Sequence, residues 1–330
     1  MKKLLCLFFS GIFLFTTSAN AQKSTKEKPK YPELAKELVK MRSNDQKLRI
    51  KWSKMIQEGK NEGRKYEKLT DRLIKADSSN TERMKEIVAQ YGWPTRALVG
   101  NGASSSAWLL VQHADRDPLF QIKCLPLLKA AVDQEQTNPR NYAYLYDRVQ
   151  VAKGDMQLYA TQSTTNNGLK QGFFQTIEDE ANVQKRRAAM NIDQHIEDYA
   201  KALGFDYKVP TPEEAMQREQ ALLEKYQENL EQAQAAMKNK DYESAAEHYL
   251  VLNETNGATQ TTDYVEMARA LSLAKHKDAY LGTYALIKAA IRGYEQMDEF
   301  EMDQDFEYLK EVSPRNWGNL RRIMEELEKK

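Results

Sequence analysis

Apolar residues recur at three- and four-residue spacing along almost the whole chain, and that period commits it to packed helices. From Tyr31 the series Leu34, Leu38, Met41, Leu48 and Trp52 falls on one helical face. Asp77-Ser78-Ser79-Asn80 reads as a polar break, with Asn80 capping a helix that carries Arg83, Ile87 and Val88 and ends at Gly92. Trp93-Pro94 and Gly100-Asn101-Gly102 are turns. Ser104 or Ser105 caps the helix Ala107 to Ala114. Asp117-Pro118 opens another, which Pro126 should kink or restart, and Pro139 opens one running through Val151. Only Gln157–Gln162 and Gly172–Ile177 alternate in the strand manner, which predicts a small hairpin. The fold class expected is mainly α: a helical N-terminal domain with a small β-hairpin, then tetratricopeptide-like α-helical hairpins.

The chain opens with Lys2 and Lys3, an apolar run from Leu4 to Phe15, and Ala19-Asn20-Ala21, the small-x-small form that signal peptidase accepts. Residues 1–21 therefore read as a cleavable signal peptide, and the protein is expected in the periplasm or secreted. The run is shorter than the ~20 residues a membrane span needs, and no other run is long enough, so no span is expected after cleavage. Cys6 leaves with the signal, so Cys124 stands alone and no internal disulfide forms. Cys124 sits on an apolar stripe with Phe120 and Leu128, as a buried inert thiol would. Loss of Lys2 and Lys3 leaves 47 basic against 48 acidic residues. That balance gives no electrostatic case for nucleic acid or for an anionic membrane.

Residues 22–30 are charged and lack apolar content, as a flexible leader does. Val209-Pro210-Thr211-Pro212 interrupts two helical patterns. The expected organisation is a helical domain of unknown function over 31–205, a linker over 206–213 and a second helical domain over 214–330. In the second, Ala233, Ala236, Tyr242, Ala245, Tyr249 and Leu252 stand where a tetratricopeptide repeat places its small and large packing residues. Small residues let paired helices approach, and aromatics fill the groove between them. A weaker second unit runs from Ala270 through Gly282, Leu286 and Ala289.

The most distinctive text lies in the first domain. It comprises Gly92-Trp93-Pro94, Trp108–Asp115 (WLLVQHAD), Tyr144–Val149 (YLYDRV), Gln157–Gln162 (QLYATQ) and the pair Arg186-Arg187. Over about residues 35–203 this run resembles a bacterial family known only as domain-of-unknown-function family 6624. The resemblance implies a common domain and no activity. Ala160 stands where that family usually carries glycine, the residue that takes positive φ without strain.

The candidate chemistry is read from the residues themselves. His113 precedes Asp117 by four residues, and an imidazole beside a carboxylate can be held in one tautomer to act as base or metal ligand. The alternative is a histidine that only anchors a loop. Asp147 and Arg148 form either an internal ion pair or a charged pair reaching into a cleft. On a strand, Gln157, Tyr159 and Thr161 share one face, facing either a ligand or solvent. Gln162 extends that set, and Arg187 could clamp a carboxylate or phosphate. His195, His248 and His276 lie on separate helices, so a three-histidine zinc site is not expected. No nucleotide loop, HExxH or GxSxG motif is present. Neither metal nor cofactor is expected.

Two functions follow. One is an exported envelope protein that binds a ligand, or a protein or peptide partner through its C-terminal helices. The other is a hydrolase-type enzyme with its site around His113 and residues 157–162, where His113, Asp147 and Tyr159 are the catalytic candidates and Arg148, Gln157, Thr161, Gln162 and Arg187 the binding ones.

Overall fold

The computed structural model describes residues 28–166, 171–294 and 296–329. The expected signal peptide and most of the leader lie outside them. Among the described residues the chain is mainly helical, with one two-stranded antiparallel sheet. No helix among the described residues is long and apolar enough to cross a membrane. Its contacts group it into two compact units, one ending at Tyr146 and one beginning at Asp147.

The first unit is built on α1 (Pro32–Gln57), α2 (Arg64–Tyr91), α3 (Arg96–Val99), α4 (Asn101–Gln112), α5 (Pro118–Asp133) and the start of α6 (Pro139–Lys153). α4 is its core: Ala107 to Val111 are all buried, and α1 and α2 both pack against it. Trp108 is fixed there because its indole N–H donates to the Asn141 carbonyl at 2.8 Å and its ring meets Tyr144 edge-on. The break expected at 77–80 is absent; α2 runs straight through it. The reason is local. Ser78 and Thr81 turn their hydroxyls back to the carbonyls of Ile74 and Asp77, at 3.0 and 2.8 Å, and so join the helix instead of competing with it. Pro126 likewise lies inside α5. Cys124 is fully buried, and burial, then the Asp117 charge, push its thiol up to about 12.

The second unit opens with the hairpin, which is displaced from its expected place. Its strands are β1 (Ser163–Asn166) and β2 (Gln171–Phe174), with Ser163 opposite Phe174. Residues 157–162 precede β1 and meet the chain beyond β2 at their two ends, through a parallel bridge from Gln157 to Ile177 and through the Gln175 N–H, which donates to the Gln162 carbonyl at 3.1 Å. α7 (Val183–Ala189) and α8 (Ile196–Leu203) follow. They close a small core in which Phe174 meets Tyr199, Phe205 and Tyr207, at ring distances of 5.9, 5.0 and 5.0 Å.

Residues 206–211 carry no helix. Thr211 then starts α9 (Pro212–Lys238) with a complete capping box to Glu214. α10 (Tyr242–Leu252), α11 (Thr261–Leu273) and α12 (Ala279–Ile291) pack each on the one before it. α13 (Met297–Met302), α14 (Glu307–Val312) and α15 (Pro314–Glu328) complete the unit, α14 and α15 both packing on α12. Close approach is bought with small residues: Ala233, Ala236, Ala245 and Ala246 are buried between α9 and α10, and a Cβ on Gly282 would lie 2.8 Å from Leu309. The α10–α11 loop reaches back to the hairpin. The Gly257 N–H donates to the Gly154 carbonyl at 2.8 Å, and the Asn256 amide donates to Gln175 at 3.0 Å.

Candidate active site

In the first unit three helices converge on one polar cluster. Asp45 lies seven residues, two helical turns, after Leu38, so it occupies the buried stripe of α1. Asp77 lies four residues after Leu73 and seven before Met84, on the equivalent stripe of α2. His113 forms the C-cap of α4. Its Nδ1 stands 3.1 Å from Asp45 Oδ1 and 3.0 Å from Oδ2. A carboxylate only accepts, so Nδ1 carries the proton in this pair. Arg49, one turn after Asp45, donates through Nε to Asp45 at 3.0 Å and through an Nη to Asp77 at 2.6 Å. Gln46 donates to the second Asp45 oxygen at 2.8 Å.

Burial within the cluster is graded. The side chains of Asp45 and His113 are 0% and 7% exposed, those of Asp77 and Arg49 18% and 23%, so the Asp77–Arg49 side is the more open one. The two carboxyls behave in opposite ways. Burial pushes the Asp45 carboxyl up, but attraction to His113 and Arg49 outweighs it and holds the group well below the usual range. Burial raises the Asp77 carboxyl to about 7; the charges of Asp45 and Asp115 add to the rise, and Arg49 opposes it. Two carboxyls driven apart around one imidazole are the arrangement from which acid and base roles are assigned.

Of the residues picked from sequence, only His113 belongs to this cluster. It bonds Asp45, while Asp117 caps α5 by accepting from the Phe120 N–H at 3.2 Å and pairs with Lys85 at 2.7 Å. Sequence reasoning missed Asp45, Arg49 and Asp77. The available signal was a charged residue inside an apolar stripe, Asp45 among Leu38, Met41, Leu48 and Trp52.

The other picked residues come together in the second unit. Asp147 is fully buried; it accepts from the N–H groups of Leu158 (2.8 Å), Tyr159 (3.1 Å) and Thr161 (3.0 Å) and from the Thr161 hydroxyl (2.9 Å). Gln157, also fully buried, donates to the carbonyls of Gln162 and Gln175, at 2.8 and 2.7 Å, and accepts from the Gln162 N–H at 2.9 Å. Gln162 donates to the Thr161 hydroxyl at 2.9 Å. Arg187 is buried, aims at the carbonyls of Tyr159 (2.8 Å) and Gln194 (3.1 Å), and lies over the Tyr199 ring. Arg148 is buried as well. These bonds draw the N–H groups of Leu158, Tyr159 and Thr161 into the Asp147 carboxylate, which is why this stretch does not enter the sheet ladder.

Ala160 takes φ 50, so this chain adopts a left-handed conformation with a side chain in place. That costs about 1–2 kcal/mol. Glycine would relieve it, but costs about 0.5–1 kcal/mol in chain entropy and about 0.8 kcal/mol for the buried methyl. Ala160→Gly is therefore expected to leave stability within about 1 kcal/mol. Ala160→Val should cost about 2 kcal/mol or more, since a β-branched residue at positive φ is also overpacked. Melting curves of the two variants check this, and a Val variant as stable as the Gly one would contradict it.

A family model described as "Family of unknown function (DUF6624)" matches residues 32–210 of this chain. No curated protein matches it, and no solved structure does.

Proposed function

We propose that this chain, which belongs to the family of unknown function matched over residues 32–210, is a hydrolase-type enzyme with its acid–base centre at His113. The observation that carries the reading is the fully buried Asp45 carboxylate held against His113 Nδ1, with the Asp77 carboxyl joined to the same Arg49. Asp45 fixes the ring's tautomer and orientation, as a buried orienting carboxylate does in hydrolytic triads. His113 then takes a proton from water, and Asp77, its carboxyl raised, returns one to the leaving group. The residues around 157–162 act at one remove, as the bonded scaffold of the second unit.

The test is a panel of chromogenic carboxylic esters, phosphoesters, glycosides and peptide anilides, with the wild type and His113→Gln side by side. Turnover of one class by the wild type, at least ~100-fold lower in the variant, is expected. No turnover of any class, or equal turnover by the variant, would overturn the reading.

The enzyme is proposed to work in the periplasm or outside the cell, on the strength of residues 1–21. Mass spectrometry of the exported chain should find Gln22 at its N-terminus. The C-terminal helices are proposed to form a tetratricopeptide-like surface for a protein or peptide partner. The successive packing of α9 to α12 over buried alanines supports this, as do the exposed Met216 and Leu223 on α9. A photo-crosslinker at Met216 should trap one discrete partner in cells; failure to trap one would count against the surface.

A further inference from the structure

We infer that Asp45, Asp77 and His113 form a binding site for one divalent transition-metal ion of the zinc, manganese or iron(II) class. The inference rests on the hydrolase reading and replaces its acid–base step at the same residues: with an ion bound, His113 would give up the proton it shares with Asp45, Asp77 would be ionised, and a metal-bound water would supply the attacking hydroxide that His113 otherwise generates.

The donors come from three separate helices. One ligand atom from each lies within 4.8 Å of the others, so the trio must draw in by roughly an ångström to meet a metal at ~2.0–2.2 Å from each donor. One imidazole and two carboxylates are the number of protein ligands that a catalytic metal takes while keeping a position open for water. The imidazole argues against calcium and magnesium, which take oxygen ligands, and for the borderline transition ions.

Arg49 takes one oxygen of Asp77, at 2.6 Å. The Asp77 side chain, 18% exposed, is the most open of the three donors, against 7% for His113 and 0% for Asp45. The remaining histidines do not compete for this role: His195 is the exposed N-cap of α8, His276 is an exposed residue paired with Glu243, and His248 bonds Asn229 at 2.9 Å.

The experiment uses the full mature chain, freed of metal by chelator and titrated with Co2+ under visible spectroscopy, then with Zn2+ in competition. One Co2+ per chain is expected, with a visible d–d band that Zn2+ abolishes. Asp77→Asn and His113→Ala should each weaken binding by at least ~100-fold, and His276→Ala should leave it unchanged. Circular dichroism verifies that the variants fold; Asp77, at the open edge of the cluster, is the substitution that should be tolerated if the His113 variant is not. No saturable Co2+ binding by the wild type, or undiminished binding by Asp77→Asn, would overturn the site. Binding without turnover of any substrate would sink the hydrolase reading and leave the metal site standing; turnover that survives chelation, with no Co2+ bound, would do the reverse.

Discussion

Replacing Asp147 with alanine is expected to remove about 3–5 kcal/mol from the stability of the second unit. The carboxylate accepts from three main-chain N–H groups and one hydroxyl, all in the stretch 158–161. Without it those donors stay buried with no acceptor, and each buried orphan costs about 1–3 kcal/mol. The effect should not stop locally, because Arg187 and Gln157 hold the same stretch from its other sides. Denaturant unfolding of the full chain measures it, and a loss below ~1 kcal/mol would mean that water replaces the carboxylate. The pH dependence has a definite sign. Burial raises the Asp147 carboxyl to about 6, with the N–H bonds pulling the other way, whereas an unfolded aspartate titrates near ~3.9. The folded state alone retains the proton between these values, so this group's contribution is complete below about pH 4 and declines as the pH rises through 6. The gap between wild type and variant should be wider at pH 5 than at pH 7.

Asp45→Asn should lower turnover of whichever substrate the panel identifies by ~10²–10⁴-fold. The amide keeps the shape of the carboxylate but offers one acceptor where Arg49, Gln46 and His113 present three donors. Its NH2 group must face one of them, and the economical escape is for His113 to shed the Nδ1 proton and adopt the other tautomer. Nε2 would then carry a proton and lose its capacity as a base. Stability should fall by about 1–3 kcal/mol, the cost of one imperfectly satisfied buried group. The two readouts separate chemistry from folding. A variant that keeps more than a tenth of the activity while its stability falls would show that Asp45 serves packing alone.

The helical character of the chain was legible because it rests on local spacing. Leu34 and Leu38 are buried on α1, and Ala233, Ala236, Ala245 and Tyr249 are buried on α9 and α10. The hairpin was legible in kind and not in place. Its residues alternate over 157–162, yet a carboxylate from α6 claims the N–H groups needed for a ladder there. Nothing in the local text of residues 157–162 records Asp147 as their partner. The run 77–80 misled for the converse reason. Ser, Asp and Asn favour breaks when their side chains bond nearby main chain, but Ser78 and Thr81 bond backwards along the helix and Asp77 bonds Arg49 on another helix.

Sequence alone determined what is set by neighbours within a turn or two: the helical period, the opening of α5 at Asp117-Pro118, the burial of Cys124 and the identity of His113 as a residue to watch. Tertiary structure decided the partners. His113 has a carboxylate four residues away in Asp117, yet it pairs with one 68 residues away in Asp45, because a helix C-cap projects toward whatever helix packs across it. Which helix that is depends on how apolar stripes nest, a property of the whole unit. The polar residues of 157–162 read as a ligand-facing surface for the same reason. Whether a buried glutamine meets a ligand or the carbonyls of Gln162 and Gln175 is settled by chain crossings that carry no mark in the local sequence.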